Sequence, residues 1–110
     1  MGSTGVVLHD ALEMQELYND VRRGWWLYTT PGAFSTFHKD KAGLCTILVV
    51  EQGQKDWFVA EDNDPRAGKE GLWPERISGI SILQGTLAIQ GPGVLHSVFT
   101  PVLSKVFGRS

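Results

Sequence analysis

The sequence predicts a mainly β domain, an antiparallel sandwich or barrel preceded by one helix. A helical pattern occupies the first part of the chain, and seven or eight short runs rich in β-branched and aromatic residues follow it. Turn-forming groups separate these runs, namely PG at 31, QGQ at 52, QG at 84 and GPG at 91. One helix followed only by short strands is typical of a β-sandwich or β-barrel.

The helix is predicted over residues 8–24, after a frayed segment at residues 1–7. Asp10 is placed to cap its N-terminus, with Glu13 three residues later, and Gly24 is placed to end it. Apolar side chains recur at helical spacing on one face: Met14, Leu17, Tyr18 and Val21. This face is expected to pack against the strands.

Residues 25–107 are predicted to form the barrel. Its strands are the runs WWLYTT, AFSTFHK, LCTILVVE, KDWFVA, ISGISIL, TLAIQ and VLHSVFT, with VLSKVF as an eighth. Residues 61–76 carry both charge signs, two prolines and two glycines, which predicts an exposed insertion loop. At 110 residues, the chain 1–110 is predicted to be a single domain with one core.

The composition narrows the classes of partner and the cellular location. A formal net charge of −2 and a pI near 5.8 give no reason to expect a nucleic acid or an anionic membrane. The apolar runs are too short to span a bilayer, and the N-terminus lacks the pattern of a secretory signal. The single cysteine, Cys45, cannot form an internal disulfide, which favours a reducing compartment. The predicted location is therefore the cytoplasm or the nucleus.

The segment TFHKDKAG, residues 36–43, places His38 and Asp40 one residue apart near the end of a predicted strand. Side chains at positions i and i+2 share one face of a strand, so both could bind one metal ion. Two histidines and one carboxylate form the site of non-haem Fe(II) oxygenases, and His96, after the GPG turn, is the candidate third ligand. Taken alone, the pair is a weak signal that is more typical of a solvated strand end, and His96 alone is more typical of a hydrogen-bonded, half-buried polar residue than of a ligand.

The order FSTFHKDKAGLCTILVVEQGQKDWF, followed by ISILQGTLAIQGPGVLHSVFTP, resembles the JmjC branch of the cupin superfamily, the Fe(II)/2-oxoglutarate-dependent oxygenases. In particular it resembles the JmjC-like proteins of mushroom-forming fungi, over roughly residues 25–103. The resemblance implies a double-stranded β-helix, the cupin or jelly-roll barrel. It further implies that His38, Asp40 and His96 bind Fe(II), that 2-oxoglutarate is the cosubstrate, and that an unidentified protein or small molecule is hydroxylated or demethylated.

The same resemblance implies two residues that bind the cosubstrate. Lys55, after the QGQ turn, matches the lysine that pairs with the far carboxylate of 2-oxoglutarate, and an ammonium group in a narrow barrel suits this role. Ser35, three residues before His38, matches a hydroxyl residue that shares that carboxylate. Because its spacing from His38 is odd, Ser35 needs a bulge or twist to face inward.

Two further residues are candidates for the pocket wall. Thr46 lies on the strand after the H-x-D segment, although its β-branched side chain is also explained by strand formation. On the first strand, Tyr28 and Trp26 share one face and are predicted to line the pocket, whereas Trp25 and Leu27 are predicted to face away.

Two other functions stay open. One is a catalytically inactive or truncated cupin-like module that binds metal or takes part in assembly, which is considered because less chain follows His96 than is usual in JmjC domains. The other is a cupin isomerase or dioxygenase that uses the metal without 2-oxoglutarate, in which Lys55 would be dispensable. A shortened barrel would also expose a sheet edge, which allows a homodimer.

Overall fold

The computed structural model describes residues 5–39, 45–61 and 73–109. These residues form eight strands and one helix: β1 (Val6–Asp10), α1 (Gln15–Val21), β2 (Trp25–Thr29), β3 (Thr46–Gln52), β4 (Gln54–Ala60), β5 (Ile77–Leu83), β6 (Thr86–Gln90), β7 (His96–Phe99) and β8 (Ser104–Arg109). The predicted mainly β class with one helix is confirmed. In the described ranges, no helix is long and apolar enough to cross a membrane.

The strands form two antiparallel sheets. One has five strands in the order β1-β6-β3-β8-β2, and the other has three in the order β5-β4-β7. Tight turns at Gly53 and Gly85 carry the chain from one sheet to the other, between β3 and β4 and between β5 and β6. Their φ values of 85° and 84° lie in the left-handed region, which glycine adopts without strain.

The central strands of the five-stranded sheet are packed on both faces. A cluster between the two sheets contains Leu48, Val50, Trp57, Val59, Ile82, Ala88 and Val106. On the opposite face, the sheet residues Val49, Leu87 and Phe107, which have the alternate parity, pack against Val21 of α1 and Ala11 of the turn before it. The change of face from Leu48 to Val49 to Val50 follows the two-residue period of a strand.

The predicted helix at 8–24 is wrong at its start. Residues Val6–Asp10 form β1, which pairs antiparallel with β6. The Asp10 carboxylate does not cap the helix; it accepts a hydrogen bond from the Leu12 amide at 2.8 Å within the intervening turn. The β-branched Val6 and Val7 favour an extended backbone, and pairing with β6 fixes it. Residues 5–7 are therefore not the frayed segment that the sequence suggested.

The apolar face of the helix is as predicted. Val21 is fully buried, and Met14, Leu17 and Tyr18 pack around it against the outer face of the five-stranded sheet. Packing against this sheet stabilises a helix of only seven residues, which would be marginal in isolation.

The run AFSTFHK does not form a regular strand, in contrast to the prediction. It touches the three-stranded sheet through isolated bridges, at Phe34 with Phe99 and at His38 with His96. Of the predicted insertion loop, residues 62–72 lie outside the described residues, so its exposure stays a prediction.

Candidate functional site

A cavity of about 580 Å³ lies between the two sheets, within the size range typical of small-molecule sites. The residues that line it come from both sheets and from the segment between β2 and β3: Trp25, Leu27, Thr29, Ala33, Phe34, Ser35, His38, Thr46, Leu48, Lys55, Trp57, His96, Val98, Thr100 and Val106. The wall is mostly apolar, with a few polar side chains.

His38 and His96 lie side by side on the wall of the cavity. Their ring centroids are 4.4 Å apart, and the ring planes are inclined by 53°. The Nδ1 atom of His38 lies 2.7 Å from the carbonyl oxygen of Thr36, and that of His96 lies 2.9 Å from the carbonyl oxygen of Val94. A carbonyl oxygen can only accept, so each Nδ1 carries the proton, and in a neutral ring the basic lone pair is on Nε2. Both rings thus have a fixed tautomer suited to accepting a proton or binding an electrophile.

The Trp57 ring stacks on the face of the His96 ring. The two ring centroids are 4.7 Å apart, and the ring planes are only 5° from parallel. His96 is 2% exposed, whereas His38 is only partly buried. The orientation of His96 is therefore fixed by a backbone hydrogen bond and an aromatic face together.

Lys55 is a buried cation on the same wall. Its Nζ donates a hydrogen bond to Thr100 Oγ1 at 2.7 Å. Burial lowers the pKa of Lys55 below its ordinary value, because removal from water disfavours the charged form. Among the described residues that line the cavity there is no aspartate or glutamate, so no carboxylate there balances the ammonium group. The site is thus suited to an anionic or carbonyl oxygen of a ligand.

Ser35 and Thr46 also line the cavity. The Ser35 hydroxyl accepts a hydrogen bond from the Val98 amide at 2.9 Å, and the Ser35 carbonyl accepts one from the Ser97 hydroxyl at 2.6 Å. These bonds tie the irregular segment to β7, which explains how Ser35 faces inward despite its odd spacing from His38. Thr46 is 8% exposed at the start of β3.

The predicted orientation of β2 is reversed. Trp25, Leu27 and Thr29 line the cavity, whereas Tyr28 does not. The Tyr28 ring packs edge-on against Trp26, with ring centroids 5.6 Å apart, on the outer face of the strand. The reversal follows from pairing with β8, where Trp25 lies opposite Gly108 and its indole ring occupies the space above that glycine.

Asp40, the central member of the predicted metal site, lies outside the described residues. Within residues 5–39, 45–61 and 73–109, no group of three or more histidine, cysteine, aspartate or glutamate residues is arranged to hold a metal ion. The structure therefore brings together His38, His96, Lys55, Ser35 and Thr46 around one cavity, while their roles stay predictions.

Trp57, Thr100 and Val98 were missed by the sequence analysis. A signal for them exists, since Trp57 follows Lys55 by two residues, and Val98 and Thr100 follow His96 by two and four. Side chains at this spacing share a face of a strand. Extending the two-residue period from the predicted site residues would have identified all three.

No protein-family model matches the sequence, and no curated protein matches it significantly. Solved structures do match. The dTDP-4-dehydrorhamnose 3,5-epimerase from Sulfolobus tokodaii superimposes with a TM-score of 0.59 at 10% sequence identity, over 98% of this chain and 72% of that one. The RmlC epimerase from Mycobacterium tuberculosis gives 0.59 at 14% identity, over 98% of this chain and 64% of that one. The chain thus spans about two thirds of the length of these proteins.

A likeness at this level of identity shows the fold, which is the cupin-type jelly roll. The expectation of a cupin barrel is confirmed at this level. The JmjC branch is not singled out, because the matched structures are epimerases. The alternation of short strands with glycine- and proline-containing turns is common to jelly-roll barrels, so it indicates the barrel without indicating the branch.

The predicted Fe(II)- and 2-oxoglutarate-dependent oxygenase is corrected by the same comparison. The chain is similar to sugar-nucleotide epimerases rather than to oxygenases. The predicted cofactors, Fe(II) and 2-oxoglutarate, are likewise not supported, since the described residues hold no group of metal ligands. The positions of His38, His96 and Lys55 therefore need an explanation based on the cavity itself.

Proposed function

We propose that the chain is an epimerase-like isomerase, which moves a proton at a carbon next to the carbonyl group of a sugar-derived ketone. The observation that carries this proposal is that His96, with its tautomer fixed, and the buried Lys55 line the same mostly apolar cavity. A base and an electrophile that share one pocket are what proton abstraction next to a carbonyl requires. The likeness to 3,5-epimerases of a keto sugar supports the choice of substrate class.

In this reaction Nε2 of His96 takes the proton from the carbon, and the electron pair of the broken C–H bond moves onto the carbonyl oxygen. The Lys55 ammonium group donates a hydrogen bond to the resulting enolate oxygen. This hydrogen bond stabilises the negative charge more strongly in an apolar cavity than it would in water. Collapse of the enolate takes a proton back at carbon and restores the ketone, so no oxidant or reductant is consumed.

His38 has a separate role in the proposal. Its ring lies next to that of His96 but is only partly buried, which places it between the buried base and solvent. It exchanges the abstracted proton with water. Both imidazoles stand on one wall of the cavity and act at one face of the substrate carbon, so inversion of that carbon requires that water delivers the returning proton to the opposite face of the enolate.

The test is incorporation of deuterium from solvent. The protein is incubated in D₂O with dTDP-4-dehydrorhamnose and, separately, with a 4-keto hexose that lacks the nucleotide, and the C–H signals next to the ketone are followed by proton NMR. We expect these signals to disappear faster than in buffer. The second probe shows whether the nucleotide is needed, which is informative because the chain is shorter than the matched epimerases.

The controls are His96→Gln and Lys55→Met, which remove the base and the electrophile, and His9→Gln, which changes a histidine of β1 outside the cavity lining. Loss of exchange in the first two variants with retention in the third is the expected result. Folded protein with no exchange on either probe, or exchange unchanged in His96→Gln, would contradict the proposal. On this proposal the partner is a small-molecule substrate, and location in the cytoplasm or nucleus stays a prediction.

A further inference from the structure

Strand β2 forms an edge of the five-stranded sheet, and in the described part of the chain no strand pairs with its outer side. Four consecutive large side chains of this strand are about half exposed: Trp25 at 45%, Trp26 at 61%, Leu27 at 52% and Tyr28 at 52%. Edge strands of natural proteins are usually protected by charges, proline, bulges or a covering segment. The sequence of β2, WWLYT, has no charge and no proline. Its edge is therefore open to pairing with another strand.

We propose that β2 pairs antiparallel with β2 of a second copy of this chain, with the two-fold axis at Leu27. A strand is the required occupant, because the edge presents main-chain N–H and C=O groups in addition to apolar side chains. An antiparallel pair of identical strands is two-fold symmetric, which is the symmetry of most homodimers. The proposal does not depend on the catalytic activity of the chain.

The side chains of β2 are self-complementary in this register. Leu27 lies opposite the partner's Leu27, and Trp26 lies opposite the partner's Tyr28, which gives two symmetric aromatic pairs on the outer face. Aromatic residues opposite one another stabilise antiparallel strands. No residue of β2 is charged, so no like charges meet across the pair. A register shifted by one residue would lose this arrangement. Leu27, an inner-face residue, would then lie opposite the partner's Trp26, an outer-face residue, and the pleats of the two strands would not match.

The interface formed by β2 is small. Large apolar side chains that are half exposed leave roughly 100 Å² each, so the four of β2 offer at most about 400 Å² per copy and about 800 Å² per pair. Because the side chains of an edge strand project above and below the sheet, the main-chain hydrogen bonds between the two strands supply the rest of the stability.

The pairing would complete the wall of the cavity. Trp25, Leu27 and Thr29 line the cavity, and residues directly opposite each other in an antiparallel pair project to the same face of the sheet. The partner's Trp25, Leu27 and Thr29 would therefore extend the inner face beyond β2. Each cavity would then be bordered by residues of both copies.

The first experiment measures mass in solution by light scattering after size-exclusion chromatography, over a range of concentrations. We expect a dimer, and we expect Leu27→Lys to weaken it at least tenfold, because two ammonium groups would meet on the axis. Leu12→Lys is the matched control, since Leu12 is exposed in the turn before α1, outside β2. A monomer at every concentration, or a dimer that Leu27→Lys leaves unchanged, would overturn the proposal.

The second experiment tests the register by cross-linking and covers the case in which Leu27→Lys misfolds. Leu27→Cys is made in a Cys45→Ser background, because Cys45 is an exposed thiol. Cysteines directly opposite each other in an antiparallel pair have Cα atoms about 5 Å apart, within the range for a disulfide. We expect a covalent dimer on mild oxidation, and none for Leu12→Cys in the same background. A non-covalent dimer that Leu27→Cys does not cross-link would use another surface, and the proposal would be wrong.

Discussion

His38 and His96 are joined through their backbones as well as through their rings. The amide of each donates a hydrogen bond to the carbonyl oxygen of the other, both at 2.9 Å. This reciprocal pair is the hydrogen-bonded pair of an antiparallel ladder, although His38 belongs to no strand. The consequence is that an irregular segment presents its imidazole at a defined position next to β7.

Replacement of either histidine should have unequal effects on stability. His96→Gln removes the stacking contact with Trp57, so we expect the free energy of unfolding to fall by about 1 kcal/mol. His38 is partly buried and makes no such stack among the contacts described above, so His38→Gln should have a smaller effect. Urea unfolding followed by circular dichroism measures both, with His9→Gln as the reference. Equal losses in the two variants would mean that the stack does not stabilise the fold.

Lys55→Met should change how stability depends on pH. The pKa of Lys55 is lowered in the folded protein, so between that value and its ordinary value the unfolded chain binds more protons than the folded one. Stability of the wild type therefore rises with pH through this window, and the cost of burying the ammonium group is fully present below it. Any stability advantage of Lys55→Met over wild type should thus be largest near neutral pH and shrink towards about pH 10. Urea unfolding at several pH values tests this, and a pH-independent difference would contradict it.

Gly108→Ala should destabilise the protein. A Cβ at position 108 would overlap the indole ring of Trp25, which lies across this glycine. We expect a loss of about 1–3 kcal/mol in the free energy of unfolding, as for other overpacked sites. Gly79→Ala is the matched control within a strand, because its Cβ would meet the Phe58 ring at an ordinary 3.7 Å. Similar losses at both positions would show that Trp25 moves aside at little cost.

Ser35→Ala should loosen the segment that carries His38. The substitution removes the acceptor of the Val98 amide and should cost about 1–3 kcal/mol if that amide stays buried. Hydrogen exchange at the Val98 amide should speed up, which reports the loss of this particular bond. Ser81→Ala is the control, because the Ser81 hydroxyl contacts Asp56 at the exposed surface and its loss should cost less than about 0.5 kcal/mol. Unchanged exchange at Val98 would mean that Ser35 is not its acceptor in solution.

Much of the fold could be predicted from the sequence because local patterns control it. The runs ISGISIL and TLAIQ coincide with β5 and β6, where alternation and the glycine turn at 85 agree. The helix start could not be predicted in this way, since the extended backbone of Val6–Asp10 is fixed by pairing with β6, which is distant in sequence. The orientation of β2 was likewise decided at long range, by the space above Gly108.

The candidate site was likewise predicted in part: its polar residues were identified from the sequence, but its cofactors were not predicted correctly. His38 and His96 were identified from the H-x-D spacing and the GPG turn, and Lys55 from the family resemblance, and the structure places all three around one cavity. The predicted cofactors, Fe(II) and 2-oxoglutarate, were wrong, because a family resemblance in strand order reflects the barrel and not its cofactor. The stacking of Trp57 on His96 had no sequence signal beyond the two-residue period.

The two apolar clusters on opposite faces of the five-stranded sheet have a consequence for how this protein could change over generations. The outer cluster, around Val21, Val49 and Phe107, shares no residue with the cavity wall. Substitutions among the cavity residues therefore leave the contacts on the outer face of the sheet intact. Substitutions that adapt the cavity to a new ligand should therefore be compatible with folding. A mutational library restricted to the inner face should retain a higher proportion of folded members than one directed at the outer face.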